Sequence, residues 1–167
     1  MKLTAALFPV ALMFAACEGT TDDTEADTEE AIPNDSALVG DWISEGANIS
    51  PLFQTATFDY VEITAAFEAD GTYQVDAVNG GGTTTTFTGT FTTDDSTDPA
   101  TITLIQTVPS DATSEGIWQV DGTDLTYEVV QTSPDFGFVP PTPATGFGST
   151  SGPNIEPDVN IQLYVAQ

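Results

Sequence analysis

From Leu38 onward, apolar and polar residues alternate in short runs separated by glycine, asparagine, aspartate and proline, the spacing of an antiparallel all-β domain. Val61, Ile63, Ala65 and Phe67 fall on one side of their run, and Glu62, Thr64 and Glu68 on the other. A strand with one buried and one wetted face requires this division. The same division sets Leu125, Tyr127 and Val129 against Thr126 and Glu128, and Phe87, Gly89 and Phe91 against Thr86, Thr88 and Thr90. One run is less regular, with Ile102 and Leu104 facing one way and Ile105 the other. The pattern predicts eight strands, at 39–44, 59–68, 72–78, 83–92, 100–108, 116–120, 125–132 and 159–165, and no helix of useful length.

Turn chemistry supports a meander of hairpins. "ADG" ending at Gly71, "VDG" ending at Gly122 and "NGGG" at 79–82 supply residues that accept the positive φ of tight turns. "GTYQVD" at 71–76 and "GIWQVD" at 116–121 agree at four of six positions, and "GTFTTD" from Gly89 is a looser relative. In each, a glycine lies two residues before an aromatic, on the same face, where it makes room for a neighbouring ring or lets the strand coil.

Eight short strands leave two edges unless the sheet closes, and closure into a barrel removes them. "LVGDW" at 38–42 contains a G-x-W triplet, and with "ADGTYQV", "GTF" and "GIWQVDGTDLTYEV" it resembles the strands of bacterial lipocalin-like lipoproteins. The resemblance implies an eight-stranded antiparallel up-and-down barrel over residues 37–167. The chain has no arginine to stack on Trp42, no T-D-Y triplet and no cysteine pair, so the resemblance extends to architecture rather than to a shared mechanism.

The N-terminal residues describe a different kind of segment. Met-Lys followed by an apolar stretch to Ala16 is too short to span a bilayer as a helix and reads as a secretion signal over residues 1–16. Ala15, Ala16 and Cys17 resemble the lipobox of bacterial lipoproteins, with Phe14 where an aliphatic residue is usual. That resemblance implies that Cys17 is acylated, becomes the first mature residue and anchors the protein to the membrane. The other reading of Cys17 is an idle thiol in a leader cut elsewhere. Eight acidic residues between Glu18 and Asp35, with few apolar ones, form a tether over residues 17–36 that cannot offset its chain entropy by burial. Acids soon after the cysteine also resemble the surface-export signal of Bacteroidetes-type lipoproteins. The other reading of these acids is a plain solvated spacer. The expected location is the cell envelope, lipid-anchored on the outer membrane, and surface-exposed if the export reading holds.

Charge narrows the partners. The chain holds 26 acidic residues against one basic residue, Lys2, and no histidine. Such a surface repels phosphate backbones and has no cation with which to release their counterions, which excludes nucleic acid. It also lacks the usual bases, nucleophiles and oxyanion-stabilising cations, so no enzyme is expected. No zinc or haem site can be built from histidine and cysteine. Asp94, Asp95 and Asp98 share one loop of a type that binds Ca²⁺ or is simply solvated.

The inward aromatics Trp42, Phe67, Tyr73, Phe87, Phe91, Trp118 and Tyr127 either line a cavity for a small apolar ligand or fill the barrel. A 25-residue segment, 133–157, carries six prolines, four glycines and three phenylalanines. It reads as a structure laid across a barrel end, a lid over a ligand or, preferably, a plug. The leading expectation is noncatalytic binding of a small apolar ligand in a membrane-anchored barrel. The rival is an envelope interaction module that uses its acidic, threonine-rich outer surface, with or without Ca²⁺.

The lipobox reading has a direct check. Cys17→Ser is expected to abolish acylation and leave the leader attached, giving a heavier, unprocessed band that carries no fatty-acid label. A labelled, normally processed mutant would refute it.

Overall fold

The computed structural model describes residues 35–167, so the expected signal segment, Cys17 and nearly all of the expected tether lie outside the described residues. Eight strands follow one another around a closed antiparallel barrel: β1 (Gly40–Glu45), β2 (Tyr60–Phe67), β3 (Thr72–Asn79), β4 (Thr84–Asp94), β5 (Ala100–Val108), β6 (Ala112–Asp121), β7 (Asp124–Ser133) and β8 (Gln162–Ala166). Each strand pairs with the next, and β1 returns to pair with β8 through Trp42 opposite Ala166 and Ile43 opposite Val165. This is the up-and-down barrel that the resemblance of the strand motifs implies. The helical content among the described residues is one 3-10 turn, Gly46–Asn48.

Most strand limits lie within one or two residues of expectation. β6 begins earlier, at Ala112, because its polar opening residues keep pairing across a bulge, Ser114 with Gln131 and Thr113 with Ser133. β8 begins later, at Gln162, because the Asn160 amide reaches the Val129 carbonyl (2.8 Å) instead of extending the ladder.

Alternation sorts the faces with two exceptions. Ile63, Ala65 and Phe67 are buried, and so are Ala100, Ile102 and Leu104, while Ile105 is 53 % exposed. Val61, expected in the inward row, does not join it. The register steps from Tyr60–Asn79 to Glu62–Val78, so Val61 has no partner and turns outward, 50 % exposed. Tyr60 packs against the core in its place, among the rings of Phe53 and Phe58. Glu128, expected on the wetted face, is only 1 % exposed. It does alternate outward between Tyr127 and Val129, but other chain lies over it.

The echoed glycines serve the neighbouring backbone rather than a ring. A Cβ on Gly116 would stand 2.0 Å from the carbonyl oxygen of Glu128 on β7, and one on Gly89 would stand 2.0 Å from that of Ile105 on β5. Strands in this small barrel coil closely enough at these points to exclude even a methyl group. Gly71 is needed for its backbone instead, since its φ of 82° makes the β2–β3 turn, where its N–H donates to the Glu68 carbonyl at 3.0 Å.

The two rims close differently. At the rim where β1 starts, Leu38 is buried in the core and its carbonyl accepts a 2.8 Å hydrogen bond from the Trp42 indole. At the opposite rim, the β1–β2 connection contributes Ile49 to the core, and Ser50 donates its N–H to the Gln162 side chain at 2.8 Å. Gln162 in turn donates to the Ser44 hydroxyl, so three buried polar groups of β1, the connection and β8 satisfy one another.

Gly116→Ala is expected to cost about 3 kcal/mol or more, because the added methyl meets fixed backbone rather than a movable side chain. Urea unfolding of the variant measures it, and an unchanged midpoint would show that the strands can separate at no cost.

Candidate functional site

The seven aromatics singled out in the sequence all belong to the interior. Trp42, Phe67, Tyr73, Phe91, Trp118 and Tyr127 are buried within one cluster, and Phe87 packs against it partly buried. Phe67 stands at the centre, its ring centroid 5.1 Å from Phe91 edge to face, 6.2 Å from Tyr127 and 6.3 Å from Tyr73. Tyr127 continues the chain to Tyr164 at 6.1 Å. Aromatic pairs attract at these separations, and burying a ring the size of Phe67 contributes roughly 1.5–3 kcal/mol. Both indole N–H groups donate to backbone carbonyls, Trp42 to Leu38 and Trp118 to Thr101 (3.3 Å). Phe67, Tyr73, Phe91, Tyr127 and Tyr164 therefore meet ring to ring, and the two indole donors are already engaged with the wall.

The concavities described are lined mainly by outward-facing residues. One, of about 180 Å³, lies along β1, β2 and β3 among the outward residues Asp41, Thr64, Ala66, Gln74 and Asp76, and also touches Gln167 and the inward-row residues Trp42 and Ala65. Its Asp76 carboxylate is held on both oxygens, by Gln74 (2.7 Å) and by the Thr86 hydroxyl. The other, of about 300 Å³, lies beside Ile105, Thr107, Asp111, Thr113 and Pro134 on the outside of β5 and β6. A barrel that spans a membrane carries an apolar band outward and polar groups within. This barrel has the opposite polarity, with aromatics inside and Thr72, Gln74, Asp76, Thr88 and Thr90 facing out. Among the described residues no helix is long and apolar enough to cross a membrane.

The acidic loop does not gather its three carboxylates on one point. Asp94 accepts the Ser96 N–H at 3.0 Å, and hydrogen bonding from Ser96, side chain first and then backbone, holds its carboxyl below the ordinary range. Asp98 accepts from the Gln119 amide at 2.7 Å. No group of three or more metal-ligating side chains is assembled among the described residues.

Sequence reasoning missed the most unusual polar position, Glu128. Its two oxygens accept backbone N–H groups from the long segment between β7 and β8: Gly148 at 2.6 Å and Thr150 at 3.0 Å. Phe147 is half-buried, whereas Phe136 is 59 % exposed. The segment, expected across a barrel end, thus takes its seat on the outer wall of β7, and the β1–β2 connection occupies the barrel end instead. The missed signal is slight, since a lone Glu in an outward row looks like any solvated acid.

Comparison with protein-family models, with curated proteins and with solved structures returns no match for this chain.

Burial makes three tyrosines alkali-sensitive. Tyr73 is raised to about 12 by burial, and Tyr164 is raised for the same reason. Tyr127 is raised well above its ordinary value by burial first and by the neighbouring phenols second. An acid whose folded value is raised keeps its full contribution below the unfolded value, about 10, and loses it as pH climbs toward the folded value. Stability is expected to be flat in this respect below pH 10. Above that it should fall by up to about 1.4 kcal/mol per pH unit for each of Tyr127 and Tyr164. Urea midpoints at pH 9, 10.5 and 11.5 check this, with Tyr164→Phe flattening the decline.

Proposed function

We propose that this chain is a noncatalytic, lipid-tethered barrel of the bacterial cell envelope that acts as an interaction module, presenting its outer wall and rim loops to a partner. One observation carries the reading: the rings around Phe67 pack against one another in a buried cluster, while the described concavities are lined mainly by outward-facing residues. A ligand of typical size needs several hundred cubic ångströms of apolar space, which the interlocked rings around Phe67 occupy themselves. The interior is then a core, and recognition passes to the threonine- and carboxylate-rich exterior.

Charge selects the partner class. With a net charge of −25, the surface favours a neutral glycan or a basic protein over any polyanion. The tether is the membrane connection implied by the lipobox at Cys17, and the barrel agrees with the lipocalin-like architecture that the strand motifs suggest.

The competing reading, a small apolar ligand held inside, separates cleanly in solution. Titrating the protein with a lipophilic fluorescent dye is expected to leave the emission of Trp42 and Trp118 unchanged and to give no saturable signal. Saturable one-to-one quenching would establish an interior site and overturn the interaction-module reading.

A further inference from the structure

We infer that residues 134–161 form a releasable strap on the outside of the barrel, that Glu128 is its latch, and that its release uncovers an apolar patch on β6 and β7. The strap has an architecture of its own. Val139 and Ser151 exchange backbone hydrogen bonds (2.8 and 3.2 Å), folding it back on itself. A Cβ on Gly152 would stand 2.5 Å from the Phe138 ring, so the two limbs are in close contact. Asp158 donates its N–H to the Gly148 carbonyl at 3.3 Å, and a Cβ on Gly148, at φ 83°, would collide with the Asp158 carboxylate. The segment is therefore preshaped, with the N–H groups of Gly148 and Thr150 aimed at one acceptor.

That acceptor is Glu128. Opposite it on β6 is Ile117, which is fully buried yet stands outside the interior cluster, on the outward face between Gly116 and Trp118. Val130, the next outward residue of β7, is buried too. The strap is bonded to Glu128, directly opposite Ile117 and two residues before Val130, and this placement accounts for their burial. Apolar burial at Ile117 and Val130 favours the seated strap.

The carboxylate pulls in both directions. Seated, it is withdrawn from solvent, and no lysine, arginine or histidine is present among the described residues to pair with it. Two charge-assisted bonds to backbone N–H groups compensate it. Lifted, it regains full hydration. Opposing contributions of this kind leave the seated state with a modest advantage, which makes the strap an element that opens locally while the barrel stays closed. Its outward neighbours are Ile117 across the ladder and Thr126 on its own strand; Glu115 lies further along β6, opposite Val130, and on the strap the Asp158 carboxylate stands against Gly148.

Amide hydrogen exchange on the unmodified protein tests this. The Gly148 and Thr150 amides are expected to exchange at least about tenfold faster than the ladder amides of Ile117 and Tyr127, by an opening that dilute urea does not accelerate. Equal protection of all four, rising and falling together with urea, would show that the strap opens only when the barrel unfolds and would overturn the inference. In Glu128→Gln one of the two N–H groups must face the new amide's own donors, so exchange at Gly148 or Thr150 is expected to quicken about tenfold with Tyr127 unchanged. Unaltered strap exchange in that variant would remove Glu128 as the latch. Should the variant fail to fold, the comparison within the unmodified protein still decides.

Discussion

An eight-stranded sheet that closes on itself must bring its first strand back to its last, and here that seam is short. β1 and β8 share two register pairs, against six or more at most other junctions of the barrel. Other bonds reinforce it. Gln167 donates its N–H to the Asp41 carbonyl and Ala166 to that of Thr123 at one rim, and Leu52 donates to Val159 at the other. Inside, Gln162 joins Ser44 to Ser50 across the same seam. The narrow interior that results is just wide enough for side chains to fill, and this makes the aromatic cluster a core. Had the seam stayed open, its two edges would offer unpaired backbone to other chains.

The second constraint is chemical. Without a cation among the described residues, each carboxylate is either left in water or held by N–H and hydroxyl donors. Asp76 is gripped by Gln74 and Thr86, Asp98 by Gln119, and Glu128 by the backbone of the strap. Neutral donors thus take the place that lysine and arginine hold elsewhere, and the outer wall keeps a single sign of charge. Under the function proposed above, such a surface would resist anionic membranes and nucleic acids and leave uncharged or basic partners as the ones to test.

Much of the barrel was legible in the residue pattern because period-two alternation, Asp-Gly turns and glycine spacing are local properties. Where reading failed, the cause was non-local. Val61 departs from its row because a bulge inserts it, and nothing in "DYVEI" marks which residue the ladder skips. Gly116 looked like space for a ring, whereas its constraint comes from a carbonyl on the adjacent strand. Glu128 looked solvated, since its burial depends on chain twenty residues away. The strap was recognised as unusual from its prolines and phenylalanines, but its seat depends on the Glu128 carboxylate and the Val129 carbonyl of β7, acceptors whose importance no periodicity reveals. The seven inward aromatics were identified correctly as a set, and whether they enclosed space depended on ring-to-ring distances that composition does not encode.

An even number of strands has a consequence for how the molecule is presented. The described chain enters β1 and leaves β8 at the same rim, with Gln167 bonded beside Asp41. A label or reporter domain appended after Gln167 would thus emerge next to the point of entry. The opposite rim, with the β1–β2, β3–β4 and β5–β6 connections and both roots of the strap, would stay unobstructed, so a C-terminal fusion can report on this protein without masking that rim.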